Sequence, residues 1–281
     1  MPGRIPFAES ASARTPEGTQ KRTQERASVL ASFRFYAELN DFIAPERRQR
    51  ESGVACAGDA TVKHVVEALG VPHTEVELIL VNGVSVDFAG RLHDGDRVSV
   101  YPTFEAFDVS PLLRLRARPL RVTRFVADAH LGALARLLRM AGFDTVYDNH
   151  FDDAEIERLA ARDGRIVLTR DRELLKRRGI SHGCYVHALK PAQQLHEILV
   201  RLDLAGSVRP LPLCLDCNAP LRPVDKALVI DALPPQIRAR QQRFSTCDVC
   251  RRVFWEGSHW QHMRERLALA VAAASGPPDP A

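Results

Sequence analysis

The sequence predicts an α/β chain in three ordered parts, and three observations predict it. Residues 31–103 read as strands, one helix and further strands, residues 120–205 alternate strictly between strand and helix, and residues 210–262 carry two Cys-x-x-Cys pairs. A chain of 281 residues suits more than one domain, and 45% hydrophobic with 26% charged residues excludes collagen-like, coiled-coil and wholly disordered classes. Apolar stretches such as Leu267 to Ala274 fall short of the roughly 18–20 residues a membrane span requires. Arg4, Glu9 and Arg14 have no apolar run behind them, so no secretory signal is expected, and the expected compartment is cytoplasmic with no membrane association.

Residues 1–28, rich in Ser, Thr, Gln, Arg, Glu and Pro, are expected to form a disordered tail, as are residues 275–281 with Gly276, Pro277, Pro278 and Pro280. Ser32 to Leu39 mixes aromatic and alternating residues as a half-buried strand does. Thr61 to Leu69 places Val62, Val65, Val66 and Leu69 at helical spacing, with Thr61 as cap and Gly70 and Pro72 as stops. Ile79 to Val81 and Val84 to Val86 flank Asn82-Gly83, the dipeptide that most readily supplies two positive φ angles, so a tight hairpin is expected. Arg97 to Tyr101 reads as a last strand ended by Pro102.

These residues resemble the ubiquitin-like β-grasp family and its small sulfur carriers, chiefly through Val81-Asn82-Gly83 and Leu92-His93-Asp94-Gly95-Asp96-Arg97-Val98. The carriers of that branch end in a free Gly-Gly, whereas here Tyr101-Pro102-Thr103 runs on into more chain. The resemblance therefore implies a docking or binding module for a protein partner, with carrier chemistry disfavoured.

The second region follows a connector, Ser110 to Ala127, which has no acid and carries Arg114, Arg116, Arg118, Arg121 and Arg124. Arginine supplies 34 of the 39 basic residues of the chain, and a local cluster of this kind suits either a phosphate-facing stripe or a solvated linker. Strands are expected at Arg121 to Ala127, Phe143 to Tyr147, Arg165 to Thr169 and Cys184 to His187. Helices are expected at Leu131 to Ala141, Ala154 to Ala161, Glu173 to Arg178 and Pro191 to Leu202. This alternation implies a parallel sheet covered on both faces.

In such a sheet ligands bind beyond the carboxyl ends of the strands. Asp128 follows the first strand and Asp171 the third, while Asp152 and Asp153 open the intervening helix. Asp152 with Glu155 has capping-box spacing, which leaves Asp153 the freer to face the sheet edge. Three carboxylates on one edge repel one another unless a cation lies between them, and oxygen donors suit magnesium or manganese. Such a site activates water for phosphodiester hydrolysis. Arg170, Arg172, Arg136 and Arg139 could hold backbone phosphates there, the alternative for the last two being a solvated helix face. His150, His182 and His187 read as surface or packing residues.

The segments Arg124-Phe125-Val126-Ala127-Asp128, Leu131-Gly132 to Leu138-Arg139, Gly142-Phe143-Asp144-Thr145 and Leu168-Thr169-Arg170-Asp171-Arg172 resemble the PIN-like RNase family named for the C-terminal domain of the mutator-seven exonuclease. The resemblance implies a metal-dependent ribonuclease acting on RNA, with Asp128 and Asp171 as metal ligands and Asp153 as a third; Arg170 and Arg172, read from their charge at the same edge, are the expected substrate-binding residues.

Cys214-Leu215-Asp216-Cys217 and Cys247-Asp248-Val249-Cys250 have the spacing of two knuckles that wrap one tetrahedral zinc, and Asn218-Ala219-Pro220 does not continue as a redox Cys-x-x-Cys helix would. Four protein thiolates leave no place for substrate, so a structural zinc ribbon is expected. Cys56 and Cys184 read as small buried apolar groups. Trp255, Trp260 and His259 belong to a segment that also resembles the RNase family's tail, where the tryptophans suit either a ribbon core or stacking on unpaired bases beside Arg251 and Arg252. The expectation is thus a PIN-like parallel-sheet domain between a β-grasp and a zinc ribbon, hydrolysing single-stranded or structured RNA. The competing expectation is a non-catalytic RNA-binding adaptor that uses the ribbon and the basic connector.

Overall fold

The computed structural model describes residues 28–102 and 123–274. The expected tails, apart from Ser28, and most of the arginine-rich connector lie outside the described residues.

The first part is a five-stranded sheet in the order β2-β1-β5-β3-β4, built from β1 (Ser28–Phe35), β2 (Ser52–Ala57), β3 (Leu78–Val81), β4 (Val84–Ser85) and β5 (Arg97–Tyr101). β1 and β5 run parallel in the middle, and the other pairings are antiparallel. β1 starts earlier than the sequence suggests and ends at Phe35, because Ala37–Asp41 turns into a 3-10 segment with Ala37 at φ 47°. Ala31, Phe33 and Phe35 alternate into the core and meet Val62, Val65 and Val66 of α1 (Val62–Ala68). The Thr61 hydroxyl accepts the His64 amide, as an N-cap should. Asn82 and Gly83 take φ 52° and 83°, the two left-handed positions of the expected turn.

The second part is a parallel four-stranded sheet in the order β7-β6-β8-β9, from β6 (Phe125–Ala127), β7 (Thr145–Tyr147), β8 (Ile166–Thr169) and β9 (Gly183–Tyr185). Its helices are α2 (Gly132–Met140), α3 (Asp153–Asp163), α4 (Arg172–Leu175) and α5 (Pro191–Arg201). Strand periodicity sorts the two faces. Phe125, Ala127, Ile166, Leu168 and Cys184 pack with Leu134, Leu138, Leu195 and Ile198 of α2 and α5, while Val126 and Val167 pack with Ile156, Leu159 and Leu174 of α3 and α4.

The third part pairs β10 (Leu221–Val224), β11 (Phe244–Cys247) and β12 (Val253–Trp255) antiparallel, with two short helices, α6 (Lys226–Val229) and α7 (Pro235–Arg240), between β10 and β11. The chain then returns as α8 (Ser258–Ala274), whose Leu267, Ala270 and Val271 join the α2 and α5 face. This last helix therefore completes the core of the parallel domain rather than trailing from the ribbon.

The β-grasp is fastened to β9, the strand at one edge of the parallel sheet. The fully buried Glu75 carboxylate accepts the Tyr185 amide and pairs with Arg201, which also donates to the Tyr185 carbonyl at 2.8 Å. His73 Nε2 meets the Ile180 carbonyl at 2.8 Å and its Nδ1 meets Glu67 at 2.7 Å. Phe42 completes the contact edge-on to Tyr185 and His187.

Candidate functional site

The parallel sheet has one place where successive connections leave in opposite directions. From β6 the chain passes over one face to β7, and from β8 it passes over the other to β9. The crevice lies between the carboxyl ends of β6 and β8, the position an open α/β sheet uses for ligands.

Asp128 and Asp171 flank that crevice. Asp128 is half-buried and follows β6; its Oδ1 accepts the Ala129 amide at 2.6 Å and its Oδ2 accepts the Thr169 hydroxyl at 2.6 Å. The same hydroxyl accepts the Asp171 amide at 2.9 Å, and Asp171 Oδ1 accepts the Glu173 amide at 2.8 Å, capping α4. Buried Thr169 thus joins the two aspartates, a role the sequence reading did not assign although Thr169 lies inside the segment it singled out. Gly132 helps shape the approach: a Cβ there would stand 2.5 Å from the Tyr147 hydroxyl, which donates to the Ala129 carbonyl at 3.0 Å.

The other expected residues are placed differently. Asp152 caps α3 by accepting the Glu155 amide at 2.8 Å, as the capping spacing implies. Asp153 is exposed at the same end of the sheet, and its carboxylate faces Arg177 Nη1 at 3.8 Å. Asp148 directly follows Tyr147, the residue paired with Ala127, so it leaves β7 at the same carboxyl end of the sheet, a carboxylate that sequence reasoning passed over in favour of the helix start. Asp148 binds the His150 amide at 2.9 Å and His150 Nδ1 at 3.0 Å, which holds its carboxyl below the usual range.

The expected arginines are largely occupied. Arg170 Nη1 donates to the His187 and Ala188 carbonyls at 3.3 and 2.8 Å. Arg172 donates to the Phe42 and Asp41 carbonyls of the β-grasp at 3.3 and 3.2 Å, with its guanidinium 5.0 Å from the Phe42 ring centre and 5.5 Å from that of Tyr185. Arg139 corrects both readings offered for it, since it is 4% exposed and neither solvated nor free for phosphate. Its guanidinium donates to the carbonyls of Thr145, Leu215 and Asp216, each at 2.9 Å, because a buried cation must spend its donors on acceptors. Arg136 stays exposed, 3.8 Å from Asp216.

The four cysteines converge as expected. Their sulfurs lie within 4.8 Å of one another, and Cys214 and Cys250 are 3.7 Å apart, close to the ~3.8 Å edge of a tetrahedron with ~2.3 Å zinc–sulfur bonds. Burial and the neighbouring Cys250 and Cys214 push the Cys217 thiol up to about 12, so four thiolates here call for a cation between them. Among the described residues, no other set of three or more His, Cys, Asp or Glu side chains comes as close, the three aspartates included. The first knuckle hangs from the opposite end of the sheet, where Asn218 Oδ1 accepts the Thr145 amide at 2.9 Å and Asn218 Nδ2 donates to Asp144 at 2.6 Å. Cys184 is buried among apolar side chains as expected, while Cys56 is half-buried with its thiol directed at the Val29 carbonyl.

Residues 123–267 match the model of the Mut7-C RNAse domain, and residues 28–108 match that of the Mut7-C ubiquitin. The chain belongs to the Mut7-C RNAse domain family. In this Mut7-C protein, as the resemblance implied, the ubiquitin-like domain precedes an RNase-type domain. No curated protein matches the chain. Two solved structures of small archaeal modifier protein 1 from Haloferax volcanii are similar at 19% and 18% identity, cover 27% and 28% of this chain and 99% of their own, and each gives a TM-score of 0.23. No helix among the described residues is long and apolar enough to cross a membrane.

Proposed function

We propose that this chain is a divalent-metal-dependent ribonuclease that hydrolyses phosphodiester bonds of single-stranded or structured RNA at the β6/β8 crevice. The observation that carries the reading is the Thr169 hydroxyl joining Asp128 to the Asp171 backbone at the switch point of an RNase-type domain.

The residues present fit a hard cation. Each carboxylate has about four acceptor positions, so Asp128 and Asp171 keep acceptor capacity after their hydrogen bonds from Ala129, Thr169 and Glu173. Asp128 and Asp171 would hold magnesium or manganese, with Asp153 the third ligand and Asp148, at the same end of the sheet, its competitor. When bound, such an ion lowers the pKa of a coordinated water and stabilises charge on phosphate oxygens. Thr169 fixes the Asp128 carboxylate, and the α4 cap fixes Asp171, so both are oriented before substrate arrives. Cys214, Cys217, Cys247 and Cys250 would hold a structural zinc. The exposed β-grasp surface away from β9 is the part open to a protein partner.

A second reading is a non-catalytic RNA-binding adaptor, favoured by the engagement of Arg172 with the β-grasp and of Asp153 with Arg177. The deciding experiment follows a labelled RNA with wild-type and Asp171→Asn protein, in manganese and then in chelator. Cleavage by wild type alone, abolished by chelator, is expected; equal RNA binding without cleavage by either protein moves the conclusion to the adaptor.

A further inference from the structure

Outside the catalytic edge, a groove of about 790 Å³ lies between β10-β11-β12, α7 and α8. That volume lies within the roughly 300–1,000 Å³ of sites that enclose small organic groups. Phe254, Trp255 and Trp260 line it together with Arg240, Arg243 and Glu256. Both tryptophans are half-buried, so they have not been spent as a closed core. Arg264 sits 4.9 Å from the Trp260 ring centre. The Arg243 side chain is 85% exposed, and its acid neighbour, Glu256, is 3.9 Å away, a pair that solvent screens.

We propose that this groove is a second RNA-binding site, taking unpaired bases on its aromatic rings and backbone phosphates on Arg240 and Arg243. Aromatic rings beside guanidinium groups match single-stranded nucleic acid, because every base has a π-face and every linkage a negative charge. An apolar peptide would offer Arg240 no counter-charge, and Arg243 only the exposed Glu256 it already faces. The groove lies between the ribbon and α8, and the first knuckle of the ribbon is anchored at the amino end of β7 through Asn218, whereas Asp128 and Asp171 lie at the carboxyl ends of β6 and β8. No residue lining the groove belongs to β6, β8 or the turns that carry Asp128 and Asp171, so the two sites are distinct. An RNA must be long enough to reach both, so length becomes a criterion of substrate choice. This length criterion rests on the ribonuclease reading; the binding site does not.

The test uses the full chain with its zinc content measured. Binding of fluorescein-labelled oligouridylates of graded length is read by anisotropy on Asp171→Asn protein, alone and combined with Arg240→Ser/Arg243→Ser or with Trp260→Ala. The expected result is tight binding above a threshold length, weakened at least tenfold by either groove change, with a smaller slope of affinity against salt for the arginine pair. On the otherwise wild-type enzyme the same changes raise KM for long RNA and shrink its advantage over short RNA. Arg222→Ser, on the ribbon but outside the groove, serves as the control for ribbon integrity. Unchanged affinity in zinc-replete groove variants overturns the site. Loss of binding in those variants, with no RNA cleaved by wild type, leaves the site standing and removes the ribonuclease reading instead.

Discussion

Asp128 and Thr169 share a 2.6 Å hydrogen bond across the boundary between β6 and β8, where the two connections part. Thr169 is fully buried, so its hydroxyl has no water to fall back on, and its partners are settled by the fold.

Thr169→Val keeps the side-chain shape and removes the hydroxyl. The Asp128 carboxylate then loses its orienting donor and the Asp171 amide its acceptor, which costs about 1–3 kcal/mol for groups left unsatisfied. Cleavage is expected to fall at least tenfold while the protein remains folded at 25 °C, as checked by single-turnover assay and urea denaturation. Wild-type cleavage by Thr169→Val would remove the hydroxyl from the site.

Asp171→Asn isolates charge from structure. Asn is as good an N-cap as Asp, so its side-chain oxygen can still accept the Glu173 amide and α4 should persist. Circular dichroism and melting are expected to match wild type within ~1 kcal/mol, with manganese-dependent cleavage lost.

Glu75→Ala removes the fully buried carboxylate opposite Arg201 and leaves the half-buried guanidinium only Glu197, 3.7 Å away, as an acid partner. Because Glu197 remains, the cost should fall below the about 3–5 kcal/mol of a fully orphaned buried charge, and the Tyr185 amide loses its acceptor as well. Hydrogen exchange at Tyr185 is expected to accelerate strongly while β6 and β8 amides remain protected. An unchanged Tyr185 rate would show that the docked arrangement is not held by Glu75.

Asp144 sets an acid limit. Burial opposes its charge, but hydrogen bonds from Arg165 and Asn218 outweigh that, and its carboxyl lies below the usual value of 3.8. A depressed folded pKa contributes stability that is complete above the unfolded value and is lost as pH falls through the folded one. Stability should therefore hold level from pH 7 to about 5 and decline below about 4. Asp144→Asn should flatten part of that decline in pH-dependent urea titrations, and should loosen the first knuckle, which Asn218 ties to the same carboxylate.

Removing zinc with a strong chelator, or replacing Cys247 with Ala, should abolish a stoichiometry of one zinc per chain and expose the amides of β11. Retention of one zinc by Cys247→Ala protein would contradict the four-thiolate site.

Much of this architecture is legible in local sequence. The Thr61 cap, the Asn82-Gly83 turn, the Arg97–Tyr101 strand and the paired Cys-x-x-Cys spacing each depend on a few neighbouring residues, and each is found where the pattern puts it. β2 is absent from the reading because Ser52-Gly53-Val54-Ala55-Cys56-Ala57 offers small side chains and no strong alternation, and it becomes a strand by pairing with β1. α4 is only four residues because Lys176 ends it, shorter than the apolar spacing implied. Arg139 was misread because it looks like a surface cation on a helix, whereas it meets carbonyls contributed by chain some 76 residues away; Arg172, expected beside substrate, donates to a carbonyl 130 residues away. Contacts at that separation leave no trace in spacing.

The closure of β9 has a consequence for how the molecule is made. A sheet edge with free amides invites pairing with another chain, and proteins usually blunt it with charge, a bulge or a covering loop. Here the blunting groups, Glu75 and His73, come from a domain encoded before the strand they protect. During synthesis the β-grasp emerges first and can fold before β9 leaves the ribosome, so the edge meets its cover as it forms. The N-terminal domain then acts as a built-in escort for the sheet, and the order of the two domains along the chain is what makes this possible.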